Sequence, residues 1–144
     1  MPEARFSPRR IELDALIRVL VEEHGVMRDG LRRAREAFER KDFESVSRTL
    51  RELDPVFRQH IADEEAQVLG LLIARLGAKG AEEEIRVFQQ HRPIYQLMKK
   101  LIEFAAMPTA ELGADQAKLE ALFEDHTLAE EQRVFPKAKR VRGA

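Results

Sequence analysis

Hydrophobic residues recur along most of the chain with the period of an α-helix, and no segment shows the alternation that predicts a strand. The first amphipathic stripe advances by alternating steps of three and four residues. Its inward positions are Ile17, Leu20, His24, Met27, Leu31, Ala34 and Phe38. Ser7 followed by Pro8 predicts the start of this helix, because serine caps helix amino termini and proline suits the first helical position.

Three further stripes follow, and each is bounded by residues that begin or end helices. Asp42 is a candidate cap for the second helix, which Gly77 and Gly80 are expected to end. The third helix is expected to end at the Met107-Pro108-Thr109 break, and the fourth before Pro136. The inward positions are Val46, Leu50, Leu53, Phe57, His60, Glu64, Val68 and Leu71 in the second helix, Ile85, Phe88, His91, Tyr95, Met98 and Ile102 in the third, and Leu119, Leu122, His126, Glu130 and Val134 in the fourth.

Four long helices joined by short polar breaks favour antiparallel neighbours. The predicted fold is therefore all-α, an up-down-up-down antiparallel four-helix bundle. The length of 144 residues predicts one domain, residues 1–144. Its bundle core is expected to span about residues 11–136, and a basic tail follows at residues 137–144.

Two prolines, Pro55 and Pro93, lie inside otherwise helical patterns. Each removes an amide donor and strains the preceding turn of a helix. Kinks or local breaks are therefore predicted near His60 and His91.

Composition excludes several classes of partner and of metal site. The 25 basic and 26 acidic residues nearly cancel, so no overall field favours nucleic acid or an anionic membrane. The absence of cysteine excludes disulfides and thiolate metal sites, so any metal must bind nitrogen and oxygen.

The first ten residues contain no apolar signal segment, and the apolar stretch at residues 68–76 is too short to span a bilayer. A cytoplasmic location is expected. The basic residues Lys137, Lys139, Arg140 and Arg142 are interpreted as solvated charge at a helix carboxyl end.

All four histidines recur at one nearly regular interval, which indicates a duplicated metal site. His60 opens the phrase His-Ile-Ala-Asp-Glu-Glu, and His126 opens the phrase His-Thr-Leu-Ala-Glu-Glu. The spacing from His24 to His60 differs by only one residue from the spacing between His91 and His126. Each half of the chain therefore supplies two imidazoles and one carboxylate.

The spacing within each repeated phrase suits metal binding. Residues four apart on a helix lie on the same face about 5–6 Å apart, so each His-x-x-x-Glu phrase can aim a nitrogen and an oxygen at one place. A buried carboxylate costs several kcal/mol to desolvate, and a multivalent cation offsets that cost. Six ligands exceed the needs of one tetrahedral zinc, whereas two octahedral metals could share two bridging carboxylates, and mixed imidazole and carboxylate ligation suits iron. The pattern predicts a dinuclear non-haem iron centre. The predicted ligands are His24, His60, Glu64, His91, His126 and Glu130.

Four acidic neighbours of these phrases are expected to lie outside the ligand set. Glu65 and Glu131 follow their histidines by five residues, which points partly off the helix face, so both are interpreted as outer-shell or solvated. Asp63 and Asp125 could orient an imidazole through its second nitrogen. A solvated surface position is the favoured interpretation for both.

The chain resembles the haemerythrin-like family, in its branch of cation-binding domains with the order His, His-x-x-x-Glu, His, His-x-x-x-Glu. The resemblance runs from about Ile11 to Pro136. It implies two non-haem irons with an oxo or hydroxo bridge inside a four-helix bundle, with Glu64 and Glu130 bridging the metals and the four histidines as the other ligands. Some members bind dioxygen or nitric oxide, and others are associated with peroxide chemistry, oxygen or iron sensing, or repair of iron–sulfur clusters.

Two departures from the family limit what the resemblance implies. Oxygen-carrying members have two histidines four apart on the third helix, whereas Tyr95 follows His91 at that offset. Tyr95 is therefore a candidate ligand of the second iron, a hydrogen-bond partner of a bound oxygen species, or an ordinary buried aromatic residue. The iron–sulfur repair branch carries an amino-terminal segment with cysteines, which this chain lacks, so repair by that architecture is disfavoured.

The leading functional hypothesis is a di-iron protein that binds or senses a small ligand such as dioxygen or nitric oxide. One alternative is a di-iron oxidoreductase that consumes peroxide at the same centre. Another is an iron storage or structural metal-binding module. The first two differ in whether turnover occurs, and no acid–base group with an assured position decides between them. Neither nucleic acid nor a membrane is expected as a partner.

Overall fold

The computed structural model describes residues 6–105 and 110–143, and these ranges are helical almost throughout. The helices are α1 (Leu13–Glu39), α2 (Phe43–Asp63), α3 (Gly70–Gly80), α4 (Glu82–Gln89), α5 (His91–Phe104), α6 (Ala110–Ala129) and α7 (Phe135–Arg142). Two π-helical segments, Glu64–Leu69 and Glu130–Val134, join α2 to α3 and α6 to α7. Neither described range contains a strand, so the predicted all-α class is confirmed. Each helix in these ranges is too short or too polar to span a bilayer.

Helices α1, α2, α5 and α6 form a four-helix bundle in which α1 and α5 each pack against both α2 and α6. Arg28 on α1 binds Glu124 on α6, whereas Arg35, further along α1, binds Glu120, which comes earlier on α6. The two helices therefore run in opposite directions. The other neighbouring pairs show the same opposed order of cross-helix contacts. The predicted up-down-up-down arrangement is thereby confirmed.

Two apolar clusters form the core, and the histidines lie at the boundary between them. The larger cluster includes Met27, Leu53, Phe57, Ile94 and Phe123. The smaller cluster includes Leu20, Val68, Phe88, Val134 and Phe135. Along the chain, every histidine stands between a member of one cluster and a member of the other. A buried polar layer therefore separates two water-excluding apolar layers.

The amino-terminal segment, defined here as residues 6–12, lies against α2 before the first helix begins. Helix α1 starts at Leu13, and the Glu12 carboxylate caps it by accepting two first-turn backbone amides at 3.0 and 3.2 Å. The predicted cap at Ser7 is therefore wrong. The Ser7 carbonyl instead accepts a hydrogen bond from Gln59 Nε2 at 2.7 Å, and the Arg9 carbonyl accepts one from Gln67. Polar side chains of α2 and of the π-helical segment that follows it thus bind the backbone of this segment, which is not helical.

The predicted end of a helix before Pro136 is also wrong, since α7 begins at Phe135 and runs through Pro136. Two other boundaries follow the predicted signals more closely. Asp42 caps α2, since its carboxylate accepts the backbone amide of Ser45 at 3.3 Å. Gly77 ends the regular helix by adopting a φ of 76°, in the left-handed region that favours glycine. The predicted break at residues 107–109 lies outside the described residues.

The two internal prolines have different consequences. Helix α2 runs unbroken through Pro55, and the backbone changes its hydrogen-bonding pattern only at Glu64. Pro55 and Arg51, whose carbonyl loses its usual donor, are both exposed, so water can bind that carbonyl. Near His91 a local break is present, because α4 ends at Gln89 and α5 begins at His91. Pro93 then occupies the first turn of α5, where its missing amide costs no helical hydrogen bond.

The basic tail is largely helical and forms part of α7. Lys139 and Arg140 are exposed in the last turn, where positive charge favours the carboxyl end of the helix. Lys137 binds Glu84 at 2.5 Å and Arg142 binds Asp14 at 2.7 Å. The solvated role predicted for these charges therefore fits the end of the helix but not Lys137, which is partly buried.

Two glycines of α1 offer a matched test of the packing between α1 and α2. A Cβ atom at Gly30 would lie 2.5 to 2.8 Å from three atoms of the buried Leu53 side chain, whereas one at Gly25 would meet open space. We expect Gly30→Ala to destabilise the protein by about 1 kcal/mol, because overpacking outweighs the gain in helix propensity. Gly25→Ala should stabilise it by about 0.5–1 kcal/mol. Urea unfolding of both variants tests this difference, and equal stabilisation by the two would contradict the close approach.

Candidate metal centre

The two π-helical segments begin at the two predicted carboxylate ligands, Glu64 and Glu130. In each segment the backbone bonds skip one more residue than in an α-helix. Gly70 donates to the Glu65 carbonyl, and Phe135 donates to the Glu130 carbonyl. π-helical segments often occur at functional sites. The repeated Glu-Glu pair thus coincides with a repeated local widening of the helix.

The structure brings all six predicted ligands together in the buried polar layer. Each of these residues is at most 4 % exposed. They form two groups of four residues, and within each group one possible ligand atom from every residue lies within 4.8 Å of the others. The first group is His24, His60, Glu64 and Glu130, and the second is Glu64, His91, His126 and Glu130.

The two carboxylates belong to both groups. Glu64 places Oε1 3.7 Å from His24 Nε2 and Oε2 3.0 Å from His91 Nε2. Glu130 places Oε1 3.0 Å from His24 Nε2 and Oε2 3.8 Å from His91 Nε2. Each carboxylate therefore reaches a histidine of the first group with one oxygen and a histidine of the second group with the other. This geometry is compatible with carboxylates that bridge two cations.

Four buried atoms of this cluster make no well-aligned hydrogen bond, although His60 Nε2 faces Glu64 Oε1 and His126 Nε2 lies 3.1 Å from Glu130 Oε1. These atoms test whether a metal fits. They are Nε2 of His60 and His126, Oε1 of Glu64 and Oε2 of Glu130. Leaving one such polar atom buried and unsatisfied costs about 1–3 kcal/mol. All four are imidazole nitrogens or carboxylate oxygens, which bind divalent transition metals. The donor set therefore fits metal ions placed between these atoms.

A polar side chain contacts the outer nitrogen, Nδ1, of every histidine in the cluster. The four distances are 3.3 Å from His24 to Glu131, 3.0 Å from His60 to Glu23, 3.4 Å from His91 to Glu65, and 2.9 Å from His126 to Gln90. Because each partner atom is an oxygen acceptor, these contacts favour a proton on Nδ1 and leave Nε2 facing the cluster. The repeat extends to these outer contacts, since Glu23 and Gln90 each precede a histidine and Glu65 and Glu131 each follow a cluster carboxylate.

These outer contacts confirm some expectations and add residues that sequence reasoning missed. Glu65 and Glu131 lie in the outer shell, as expected. Glu23 and Gln90 had not been predicted to contact a histidine. The signal that could have found them is their shared position immediately before His24 and His91, which turns each toward another helix.

The expectation for Asp63 is wrong. This side chain is fully buried, and it accepts hydrogen bonds from Arg9 N and Nε, both at 2.7 Å, and from Gln59 Nε2 at 3.2 Å. The amino-terminal segment supplies the first two donors, and this segment had been expected to be helical. Asp125 is exposed, as expected.

Tyr95 packs beside the cluster through Phe57. Its ring stacks on Phe57 at 6.3 Å, and the Phe57 ring meets the His91 ring edge to face at 6.4 Å. The Tyr95 hydroxyl accepts hydrogen bonds from Arg58 Nε at 3.2 Å and Nη2 at 2.7 Å. A role of Tyr95 at the metal stays a prediction.

Burial and charge act against each other on the histidines. Burial alone would lower the pKa of His24, but hydrogen bonds and charge from Glu130 and Glu64 raise it to about 10. The pKa of His60 is likewise lowered by burial and raised, in total to about 9, by the charge of Glu64 and a hydrogen bond to Glu23. Burial would raise the pKa of Glu64, yet the charge of His60 helps to hold it well below its usual range. Without a metal, the cluster therefore favours protonated imidazoles beside ionised carboxylates.

These shifts predict how the stability of the metal-free protein depends on pH. The folded-state pKa values of His24 and His60 exceed the ordinary 6.5. Their contribution to the free energy of unfolding is therefore complete below pH 6.5 and is lost as pH rises through 9 and 10. The lowered pKa of Glu64 acts at the other end, so its contribution is lost in acid. Thermal unfolding of chelator-treated protein should therefore show a falling melting temperature between pH 6.5 and 10. His60→Gln should flatten the fall, and a melting temperature that rises over this range would contradict the prediction.

Comparison with known protein families agrees with this site. The profile of the hemerythrin HHE cation binding domain matches residues 15–138, a range that contains all six cluster residues. Searches among curated proteins and among solved structures gave no match. The match covers most of the chain, and the buried imidazole and carboxylate groups occur in a helical bundle, as expected for such a domain. The chain therefore belongs to the hemerythrin HHE cation-binding domain family, and it is a metal-binding domain.

Proposed function

We propose that the protein holds two irons between the six cluster residues and binds or senses a small oxidant ligand, dioxygen or nitric oxide. The observation that carries the proposal is the pair of buried four-residue groups that share Glu64 and Glu130. Two imidazoles and two carboxylate oxygens per metal are fewer ligands than octahedral coordination offers, so each position can stay open to a ligand. Bound iron would supply reversible redox chemistry and affinity for diatomic ligands.

The surroundings of the cluster support a neutral diatomic ligand over a larger or charged one. The rings of Phe123 and Phe57 lie edge to face with His24 and His91, at 6.3 and 6.4 Å. Both phenylalanines also line a small apolar cavity in the larger core cluster, together with Met27, Leu31, Leu53, Ile94 and Met98. Apolar walls favour an uncharged molecule and disfavour solvent, because charged groups lose hydration there. These residues would exclude water and orient the histidine rings.

One observation favours a second candidate, a di-iron oxidoreductase that consumes peroxide. Glu65 contacts His91 Nδ1 at 3.4 Å, and its side chain is 51 % exposed. A carboxylate that reaches from solvent to a ligand candidate can move protons, which turnover of peroxide requires and reversible ligand binding does not.

Metal analysis and optical spectroscopy of aerobically purified protein test the proposal. We expect about two irons per chain, bound by mixed nitrogen and oxygen ligands. Stoichiometric nitric oxide should change the spectrum of the reduced protein, and its removal should reverse the change. Catalytic loss of peroxide would favour the second candidate, with Glu65→Gln slowing it. One zinc per chain, in protein expressed with ample iron, would refute the di-iron proposal.

Tyr95→Phe tests whether the phenol takes part at the metal. Because the Tyr95 hydroxyl accepts two bonds from Arg58, we expect the variant to keep the metals and the visible spectrum and to lose about 1 kcal/mol of stability. Arg58→Met, which removes the donor and keeps the phenol, is the matched control and should behave similarly. Loss of an intense visible band from the ferric Phe variant alone would instead identify Tyr95 as a phenolate ligand.

A further inference from the structure

The outer contacts of the two metal positions differ at one matched pair of residues. The first metal position is defined here by His24 and His60, and the second by His91 and His126, with both carboxylates shared. In the first position the contact to His60 Nδ1 comes from Glu23, at 3.0 Å. The corresponding contact to His126 Nδ1 comes from Gln90, at 2.9 Å. The geometry is thus the same, but a carboxylate in one half is replaced by a neutral amide in the other.

A charged network holds Glu23, and no matching network holds Gln90 among the residues that the structure describes. Arg9 Nη2 lies 3.1 Å from Glu23 Oε2, and the same guanidinium binds the buried Asp63 through Nε at 2.7 Å. One positive and two negative charges leave this network with one net negative charge. The position in the second repeat that corresponds to Asp63 is Ala129, and Gln90 is neutral. At these matched outer positions the two halves therefore differ by a full charge, and Arg9 of the amino-terminal segment holds the charged network in place.

The remaining two outer contacts do not offset this difference. Glu131 Oε1 lies 3.3 Å from His24 Nδ1 in the first position, and Glu65 Oε1 lies 3.4 Å from His91 Nδ1 in the second. Both are carboxylates, but Glu131 is 29 % exposed and Glu65 is 51 % exposed. Water weakens the more exposed contact, so this pair favours the first position as well.

A carboxylate that accepts the Nδ1 proton of a ligating imidazole makes the imidazole more basic and fixes its orientation. Loss of such an outer contact lowers metal affinity about 10–100-fold, and a hydrogen bond to an ionised acceptor is stronger than one to a neutral amide. We infer that the two metal positions are unequal, and that Glu23 makes the first position fill before the second and Gln90 leaves the second as the exchangeable one. This inference rests on the proposed binding of two metals.

Co²⁺ is a suitable probe of the order in which the two positions fill. It binds imidazole and carboxylate, and its binding can be measured without a reaction with dioxygen. Titration of the metal-free protein by calorimetry should show two steps whose dissociation constants differ by about 10-fold or more. Crystals grown with one equivalent of Co²⁺ should show the anomalous scattering peak between His24 and His60. Two steps of equal intrinsic affinity, or a first peak between His91 and His126, would overturn the inference while leaving two-metal binding intact.

Exchange of the two outer residues gives the decisive comparison. Glu23→Gln should weaken the first step about 10-fold, and Gln90→Glu should tighten the second by a similar factor. The double variant should invert the order and move the first peak to the second position. Gln90→Glu leaves the contacts of Arg9 unchanged, so it tests the inference even if Glu23→Gln impairs folding. An unchanged second step in Gln90→Glu would overturn the inference, and binding of fewer than two cations by the wild type would overturn the proposed function with it.

Discussion

Glu64→Ala is expected to abolish occupancy of both metal positions, not only one. Glu64 reaches His24 with one oxygen and His91 with the other, so its loss removes a ligand atom from each group. The metal affinity of both positions should fall by more than about 100-fold, because loss of an outer contact alone lowers metal affinity by up to that factor. Metal content per chain after gel filtration measures the effect.

Glu130→Ala should be similarly damaging, because Glu130 also lies within reach of histidines from both groups. Glu52→Ala, on the exposed face of α2, is the matched control and should keep the full metal content. Circular dichroism of the metal-free variants separates loss of metal from loss of fold. Full metal content in one carboxylate variant and none in the other would show that the two carboxylates are not equivalent bridges.

Removing the metals is expected to lower the melting temperature by roughly 10 °C, the second large effect. A ligand present at a thousandfold excess over its dissociation constant stabilises the folded state by about 4 kcal/mol. In a domain of this length, each kcal/mol corresponds to a few degrees. The effect should be large here because the cluster residues are all buried and four of their atoms make no well-aligned hydrogen bond. Differential scanning calorimetry before and after chelation measures it.

Addition of metal to the chelated protein should restore the original melting temperature. The Glu64→Ala variant should show little change with either treatment, since it is expected to hold no metals. Identical melting of metal-free and metal-loaded wild-type protein would contradict the coupling between metal binding and folding.

The bundle and the six cluster residues could be predicted from the sequence because both depend on the helical spacing of inward-facing residues. His24 continues the stripe of Leu20 and Met27, and the other histidines continue theirs in the same way. Once each helix buries its stripe, the histidines must meet on one axis. The repeated offset from histidine to glutamate then brings the carboxylates to the same layer. Both expectations depend on local periodicity and on the fact that buried faces point inward.

Which histidine each outer side chain contacts could not be predicted, because this depends on how the chain departs from that period. The π-helical segments shift Glu65 and Glu131 toward histidines of other helices, and an ideal helix gives no sign of this shift. Arg9 was expected within a helix that began at Ser7. It instead lies in the non-helical amino-terminal segment, where its guanidinium can reach Glu23 and Asp63. Such contacts are set by tertiary packing between distant parts of the chain.

The exchange of outer carboxylates between the two halves has the symmetry of an isologous dimer, enclosed within one polypeptide. The first hairpin is defined here as α1 with α2 and its π-helical extension, and the second as α5 with α6 and its π-helical extension. Glu131 of the second hairpin contacts His24 of the first, and Glu65 of the first contacts His91 of the second. In a two-fold assembly of identical subunits, each partner would make this same reciprocal donation. Neither hairpin is therefore self-sufficient. Covalent linkage holds the two at an effective concentration on the order of millimolar, so the cluster residues of the two halves meet within one chain whatever the concentration of the protein.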